Sequence, residues 1–169
     1  DYDKAMDTLD HCKIICQAVG LRPLEVARAI DAMGKVHFFM QEYHEAMMCH
    51  QQALAMKRPL VGENDPTVVT SLLNIGAVHT KLSNYEEATV AYRAGLGVLK
   101  TELAKCSSRR RRAPESKRIV KEVAETLEML ATVYQLRGDT KAASLAMNEA
   151  MMSYREAGIV VKPRRLPKS

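Results

Sequence analysis

Residues 32–56 read AMGKVHFFMQEYHEAMMCHQQALAM, and residues 74–98 read NIGAVHTKLSNYEEATVAYRAGLGV. Laid over one another 42 residues apart, they pair Gly34 with Gly76, His37 with His79, Tyr43 with Tyr85, Ala46 with Ala88 and Leu54 with Leu96. A third copy lies 55 residues further on, where Gly76 is matched by Ala131, His79 by Tyr134, Ala88 by Ala143 and Leu96 by Met151. The 13 extra residues fall in the stretch that holds Arg109, Arg110, Arg111 and Arg112. Self-similarity at such a period marks a chain built from stacked supersecondary units.

Each copy reads as two helices. Apolar residues recur at spacings of three and four, as Ile30, Met33 and His37, then Leu72, Ile75 and His79. Pro23, Pro66 and Pro114 stand where a first helix begins, a place where a missing N–H costs nothing. Asp65, before Pro66, is a suitable N-cap. Polar breaks at residues 40–42, 83–84 and 138–139 part the two helices. Gly34, Gly76 and Ala131 on the first helices, and Ala46, Ala88 and Ala143 on the second, predict close crossings, since an interior glycine costs about 1 kcal/mol against alanine. Tyr2, Ala5, Leu9 and Cys12 match Tyr43, Ala46, His50 and Ala53, which predicts a leading second helix without its first.

The pattern predicts helices at 2–19, 25–40, 43–57, 66–82, 85–104, 115–137 and 140–157, with ends good to about two to four residues. No strand pattern of period two is present. The organisation expected is a leading helix over 1–20, repeats over 21–60 and 61–104, a basic insertion over 105–116, a third repeat over 117–158 and a basic tail over 159–169.

The 169 residues are 47% hydrophobic and 27% charged, the balance of a folded chain rather than a disordered one. The net charge of +5 is unevenly spread. Residues 105–121 carry +7, residues 162–169 carry +4, and the remainder is acidic at −6. No apolar run reaches the ~20 residues of a membrane span, and no charged start leads into a long apolar stretch. A cytoplasmic chain is expected, or alternatively one that works inside an organelle after loss of a targeting peptide. Cys12, Cys16, Cys49 and Cys106 form no C-x-x-C pair and no disulfide framework.

These residues resemble the tetratricopeptide repeat family, whose unit carries Leu-Gly, an aromatic, Tyr, Ala, a second aromatic and Ala-Leu. The longer period and the join Val61-Gly62-Glu63-Asn64-Asp65-Pro66-Thr67-Val68 are similar to the kinesin-light-chain type of unit, and Ser71-Leu72-Leu73-Asn74-Ile75-Gly76 continues the likeness. The third copy departs at Thr140 and Met147, which replace the tyrosine and the later aromatic. The resemblance implies an all-α fold, a right-handed superhelical solenoid of antiparallel helix pairs. It implies a non-catalytic scaffold that binds a peptide or partner subunit, as an adaptor or as part of a larger complex. By the family's geometry the groove would present Arg28, Asp31, Lys35, Phe38 and Phe39, then Thr70, Leu73, Asn74, Ala77, Thr80 and Lys81, then Glu125, Glu128, Thr132 and Gln135. A clamp for a terminal carboxylate would use Lys35 and Asn74, but Glu125 and Met129 stand where the third copy would need basic groups.

Of adjacent Phe38 and Phe39, about 100° apart on a helix, one is expected to be buried and the other to serve as an anchor. Arg109, Arg110, Arg111 and Arg112 form a basic patch whose attraction would be salt-sensitive. Nucleic-acid or phosphate association through it is the alternative function, although no aromatic interleaves the run. Met47, Met48, Met151 and Met152 read as core filling, and His37 and His79 as packed histidines. His11, Cys12 and Cys16 fall short of a zinc set. No phosphate-binding Gly-rich loop or nucleophile elbow is present, so no catalytic residue, cofactor or metal is expected.

Overall fold

The structure is a computed structural model that describes Lys4, Asp7, His11, Ile14, residues 23–108 and residues 113–159. The described residues form six α-helices and no strand: α1 Pro23–Phe39, α2 Tyr43–Val61, α3 Pro66–Lys81, α4 Tyr85–Ser108, α5 Ala113–Leu136 and α6 Thr140–Glu156. No helix among the described residues is long and apolar enough to cross a membrane. The chain divides into two compact units, Asp1–Thr101 and Glu102–Ser169, the boundary passing through α4. In the first unit α1 packs on α2 and α2 on α3, and in the second α5 packs on α6. The expected leading helix lies outside the described residues except for Lys4, Asp7, His11 and Ile14, which are helical and exposed. The arginine run at 109–112 and residues 160–169 of the basic tail also lie outside them.

The helix starts follow local chemistry. Asp65 accepts from the Thr67 N–H at 2.8 Å and from its hydroxyl at 2.7 Å, ahead of Pro66 at the first helical position. Asp139 accepts from the Ala142 N–H at 3.0 Å, and that bond is the main cause holding its carboxyl below the usual range. Two ends differ from expectation. α2 continues through Pro59 to Val61, where Gly62 closes it with its N–H on the Arg58 carbonyl at 2.9 Å. The extra residues between the second and third copies lengthen helices: α4 and α5 run 24 residues each, and the described parts of the expected insertion, 105–108 and 113–116, are helical.

All three pairs turn along one backbone path. Gln41 (φ 65°), Ser83 (φ 61°) and Gly138 (φ 87°) occupy the same place in the repeat and all are left-handed. In each turn the following N–H reaches back five residues, Glu42 to His37 at 2.9 Å, Asn84 to His79 at 2.9 Å and Asp139 to Tyr134 at 2.8 Å.

The matched glycines admit rings. A Cβ on Gly34 would lie 2.7 Å from His50 Cε1, and one on Gly76 would lie 2.7 Å from Tyr92 Cε1. His50 and Tyr92 are themselves 42 residues apart, so one crossing is built twice with different rings. Around the first crossing Val26, Ile30 and Ala53 form a core joined by Cys49 and Met56. In the second unit Ile119, Val123, Ala124, Leu127, Leu130 and Ala131 on α5 and Ala146, Ala150 and Tyr154 on α6 are buried.

Within the first unit a polar network links three helices. Asp31 on α1 is 4% exposed, His50 and Lys57 on α2 are 1% and 2%, and Ser71 on α3 is 0%. Asp31 Oδ1 lies 2.7 Å from His50 Nδ1. Asp31 Oδ2 receives Lys57 Nζ and, at 2.5 Å, the Ser71 hydroxyl, which itself accepts from Lys57 at 2.9 Å. Burial alone would raise the Asp31 pKa. The bonds from His50, Lys57 and Ser71, with the Lys57 charge, outweigh it and hold the carboxyl below its usual range. An ionised Asp31 can only accept, so the His50 Nδ1 carries the proton.

In the second copy the places of Asp31, His50 and Lys57 are taken by Leu73, Tyr92 and Leu99. Lys57→Leu alone strands a buried carboxylate and should cost about 3–5 kcal/mol, whereas Asp31→Leu with Lys57→Leu should recover most of it, as read by urea unfolding. Because folding lowers the Asp31 pKa, the unfolded chain takes up that proton first as pH falls. Its contribution is therefore complete above the ordinary carboxylate value of 3.8 and is lost below it. The urea midpoint should fall more steeply below pH 3.8 in the wild type than in the double-leucine variant. Gly76→Ala should cost about 1–3 kcal/mol, less in a Tyr92→Leu background. Ser83→Gly should gain about 1 kcal/mol and Gly138→Ala lose a similar amount, both measured as shifts in Tm.

Candidate partner-binding groove

Asp31 and Lys57 of the polar network form the floor of a cleft of about 340 Å³. Its lining is Arg28, Asp31, Ala32 and Lys35 from α1, Lys57 from α2, and Thr67 and Thr70 from α3. Positions 28, 31/32 and 35 share one helix face, which is why a single stripe of α1 supplies most of the wall. Arg28 and Lys35 are exposed, and Arg28 donates to Glu25 at 3.0 Å in a solvent-exposed pair. The Asp31 charge is compensated from below by Lys57, so the mouth of the cleft is cationic.

The expected groove residues are placed as follows. Lys35 lines the cleft. Asp31, expected on the groove surface, is buried instead, because Lys57 and His50 draw it inward. Phe38 is half-buried and meets Tyr43 edge-on at 5.7 Å, while Phe39 is 64% exposed and crosses Phe38 at 6.0 Å. Asn74 is half-buried with Nδ2 3.5 Å from His50 Nδ1. That nitrogen's proton goes to Asp31, so the Asn74 amide packs there without donating. Leu73 is half-buried, its Cδ2 set 3.0 Å from where a Cβ on Gly95 would stand. Ala77 is half-buried and Lys81 exposed. In the second unit Gln135 is half-buried, Thr132 donates to the Glu128 carbonyl at 2.9 Å, and Glu125 pairs with Lys121 at 3.6 Å.

Lys57 and Thr67 line the cleft although neither belongs to the expected groove set. The legible signal for Lys57 was register: a lysine 42 residues before Leu99, beside an aspartate 42 residues before Leu73, is a buried pair in waiting. The Asp31, His50 and Ser71 set is no nucleophile–base pair, since Ser71 spends its hydroxyl on Asp31 and Lys57 and is shut from solvent. His37 is held by Glu42 at 2.7 Å, whereas the buried His79 Nδ1 has no partner among the described residues. Met48, Met151 and Met152 are exposed and so do not fill the core, and Met47 is half-buried. The basic patch of Arg109, Arg110, Arg111 and Arg112 lies outside the described residues.

The tetratricopeptide repeat family matches residues 25–101. A search of curated proteins finds no match. Among solved structures the chain is similar to BtubC (BKLC) from P. vanneervenii, at 15% identity and a TM-score of 0.54, over 100% of this chain and 80% of that one. It is similar to the N-terminal domain of stress-induced protein-1 from C. elegans, at 15% identity and a TM-score of 0.57, over 80% of this chain and 91% of that one. It is also similar to kinesin light chain TPR-like repeats from P. anserina, at 13% identity and a TM-score of 0.51, over 92% and 88%. Identities this low speak for the fold. With the family match over residues 25–101, the all-α helix pairs and their repeated turn show that this stretch belongs to the tetratricopeptide repeat family and that the chain has a tetratricopeptide-like fold.

Proposed function

We propose that the chain is a non-catalytic interaction scaffold that holds a peptide or a partner subunit on the face formed by its first helices, as an adaptor or as a subunit of a larger assembly. The observation that carries this reading is the cationic cleft over a fixed polar floor. Arg28 and Lys35 reach solvent on one helix face and Thr70 is exposed opposite them. The one carboxylate of the cleft is already neutralised by Lys57. Such a surface attracts an acidic stretch of a partner and offers it donors at little cost in reorganisation. Phe39 and Lys81, exposed on the same pair of first helices, extend the candidate surface, together with Asn74, Ala77 and the half-buried Phe38 and Leu73. Gln135 is the corresponding candidate on α5 of the second unit.

The full chain, probed against an array of extended peptides graded in acidic content, should retain the acidic members. Arg28→Glu with Lys35→Glu should weaken that binding about tenfold or more, while Lys141→Glu on α6 should leave it unchanged. Equal retention by wild type and the double variant would overturn the groove reading.

A further inference from the structure

We propose that the first unit carries a second docking site, on the side built by α2, α3 and α4, for an amphipathic helix of a partner protein with a lysine or arginine at one end of its apolar stripe. This goes beyond the groove reading and does not rest on it. A cleft of about 600 Å³ opens there, lined by Leu54, Ala55 and Arg58 of α2, Leu72, Ile75 and His79 of α3, and Glu87, Val90 and Ala94 of α4, among others. On α3 it uses positions 72, 75 and 79, whereas the cationic cleft uses 67 and 70.

The floor is apolar and fixed, since Leu54, Leu72, Ile75 and Ala91 are all buried. The walls are low. Ala55 and Ala94 are small and exposed, so an incoming backbone can approach closely. Val90, between Glu87 and Ala94 on the α4 wall, is 70% exposed. An apolar side chain left this far in water beside an apolar floor is the part of the cleft that an occupant would bury. The α4 wall from Glu86 to Ala94 is roughly 12 Å long, about two helical turns, which suits anchors at i, i+3 or i+4, and i+7.

Charge says which helix. Glu86 and Glu87 stand together at one end of that wall. Arg58, the cation on the rim, is paired with Glu63 at 3.2 Å, which blunts its repulsion. Glu86 already has a partner of its own, so a cation on the occupant meets chiefly the Glu87 carboxylate, and a carboxylate there is repelled. The two copies differ at the floor. His37 satisfies its ring nitrogen on Glu42, but Asn84 stands in the place of Glu42 in the second copy, and the His79 Nδ1 is buried without a hydrogen-bond partner among the described residues.

Two labelled helical peptides of about 15 residues, sharing a leucine and alanine stripe and differing only in a lysine or a glutamate at one end of that stripe, test the site by fluorescence anisotropy on the full chain. The lysine peptide should bind at least about tenfold more tightly. Val90→Arg should abolish that binding with Tm unchanged, since Val90 is exposed. Glu86→Gln with Glu87→Gln should bring the two peptides to similar affinity, and Arg28→Glu with Lys35→Glu should change neither. Equal affinity in the wild type, binding that survives Val90→Arg, or no binding of the lysine peptide would each overturn the proposal. Loss through the Arg28 and Lys35 pair instead would place the peptide in the other groove and equally refute this site.

Discussion

One carboxylate joins the first helix pair to the second. Asp31 on α1 takes a proton-bearing ring and an ammonium from α2 and a hydroxyl from α3, 40 residues away in sequence. Without those partners a buried aspartate would be neutral or α1 would have to rotate it outward. With them it is ionised, and the stripe of α1 that flanks it, Arg28 and Lys35, is fixed in direction. The cleft and its positive mouth are consequences of that fixing. In a repeat array each repeat touches only its neighbours, so this network is an interface contribution between the first and second repeats, both within the first unit.

The same crossing appears twice with opposite chemistry. Where the first copy buries Asp31, His50 and Lys57, the second places Leu73, Tyr92 and Leu99. Both close over a glycine that leaves room for a ring. A buried ion pair and a pair of leucines are comparable in stability, because desolvation offsets most of the Coulombic gain. They differ in what they specify. Leucines accept many packings, whereas Ser71 reaches Asp31 in only one register of α3 against α1.

The fold was legible because its determinants repeat. Gly34 and Gly76, Ala46 and Ala88, the Asp65–Pro66 start and the polar breaks each depend on local geometry, and period alone exposes them. What stayed hidden depended on departures from the repeat. Asp31 occupies a position that the family's geometry directs at the groove, and only the spatial meeting with Lys57 and His50 turns it inward. Leu73 likewise packs toward Gly95 rather than into the cationic cleft. The cleft over α3 was illegible for a different reason. It is made by residues from three helices whose juxtaposition no spacing in one helix encodes.

The turn shared by the three pairs carries a last consequence. Gln41, Ser83 and Gly138 take the same left-handed conformation although only the glycine adopts it without penalty. The path is therefore imposed by the helices on either side and not chosen by the residue at the bend. The side chain at such a bend therefore matters only within the ~1–2 kcal/mol that a left-handed non-glycine residue costs. The three copies accordingly carry Gln, Ser and Gly at one bend, and in the first two the helices on either side are held together by a ring closing over a glycine.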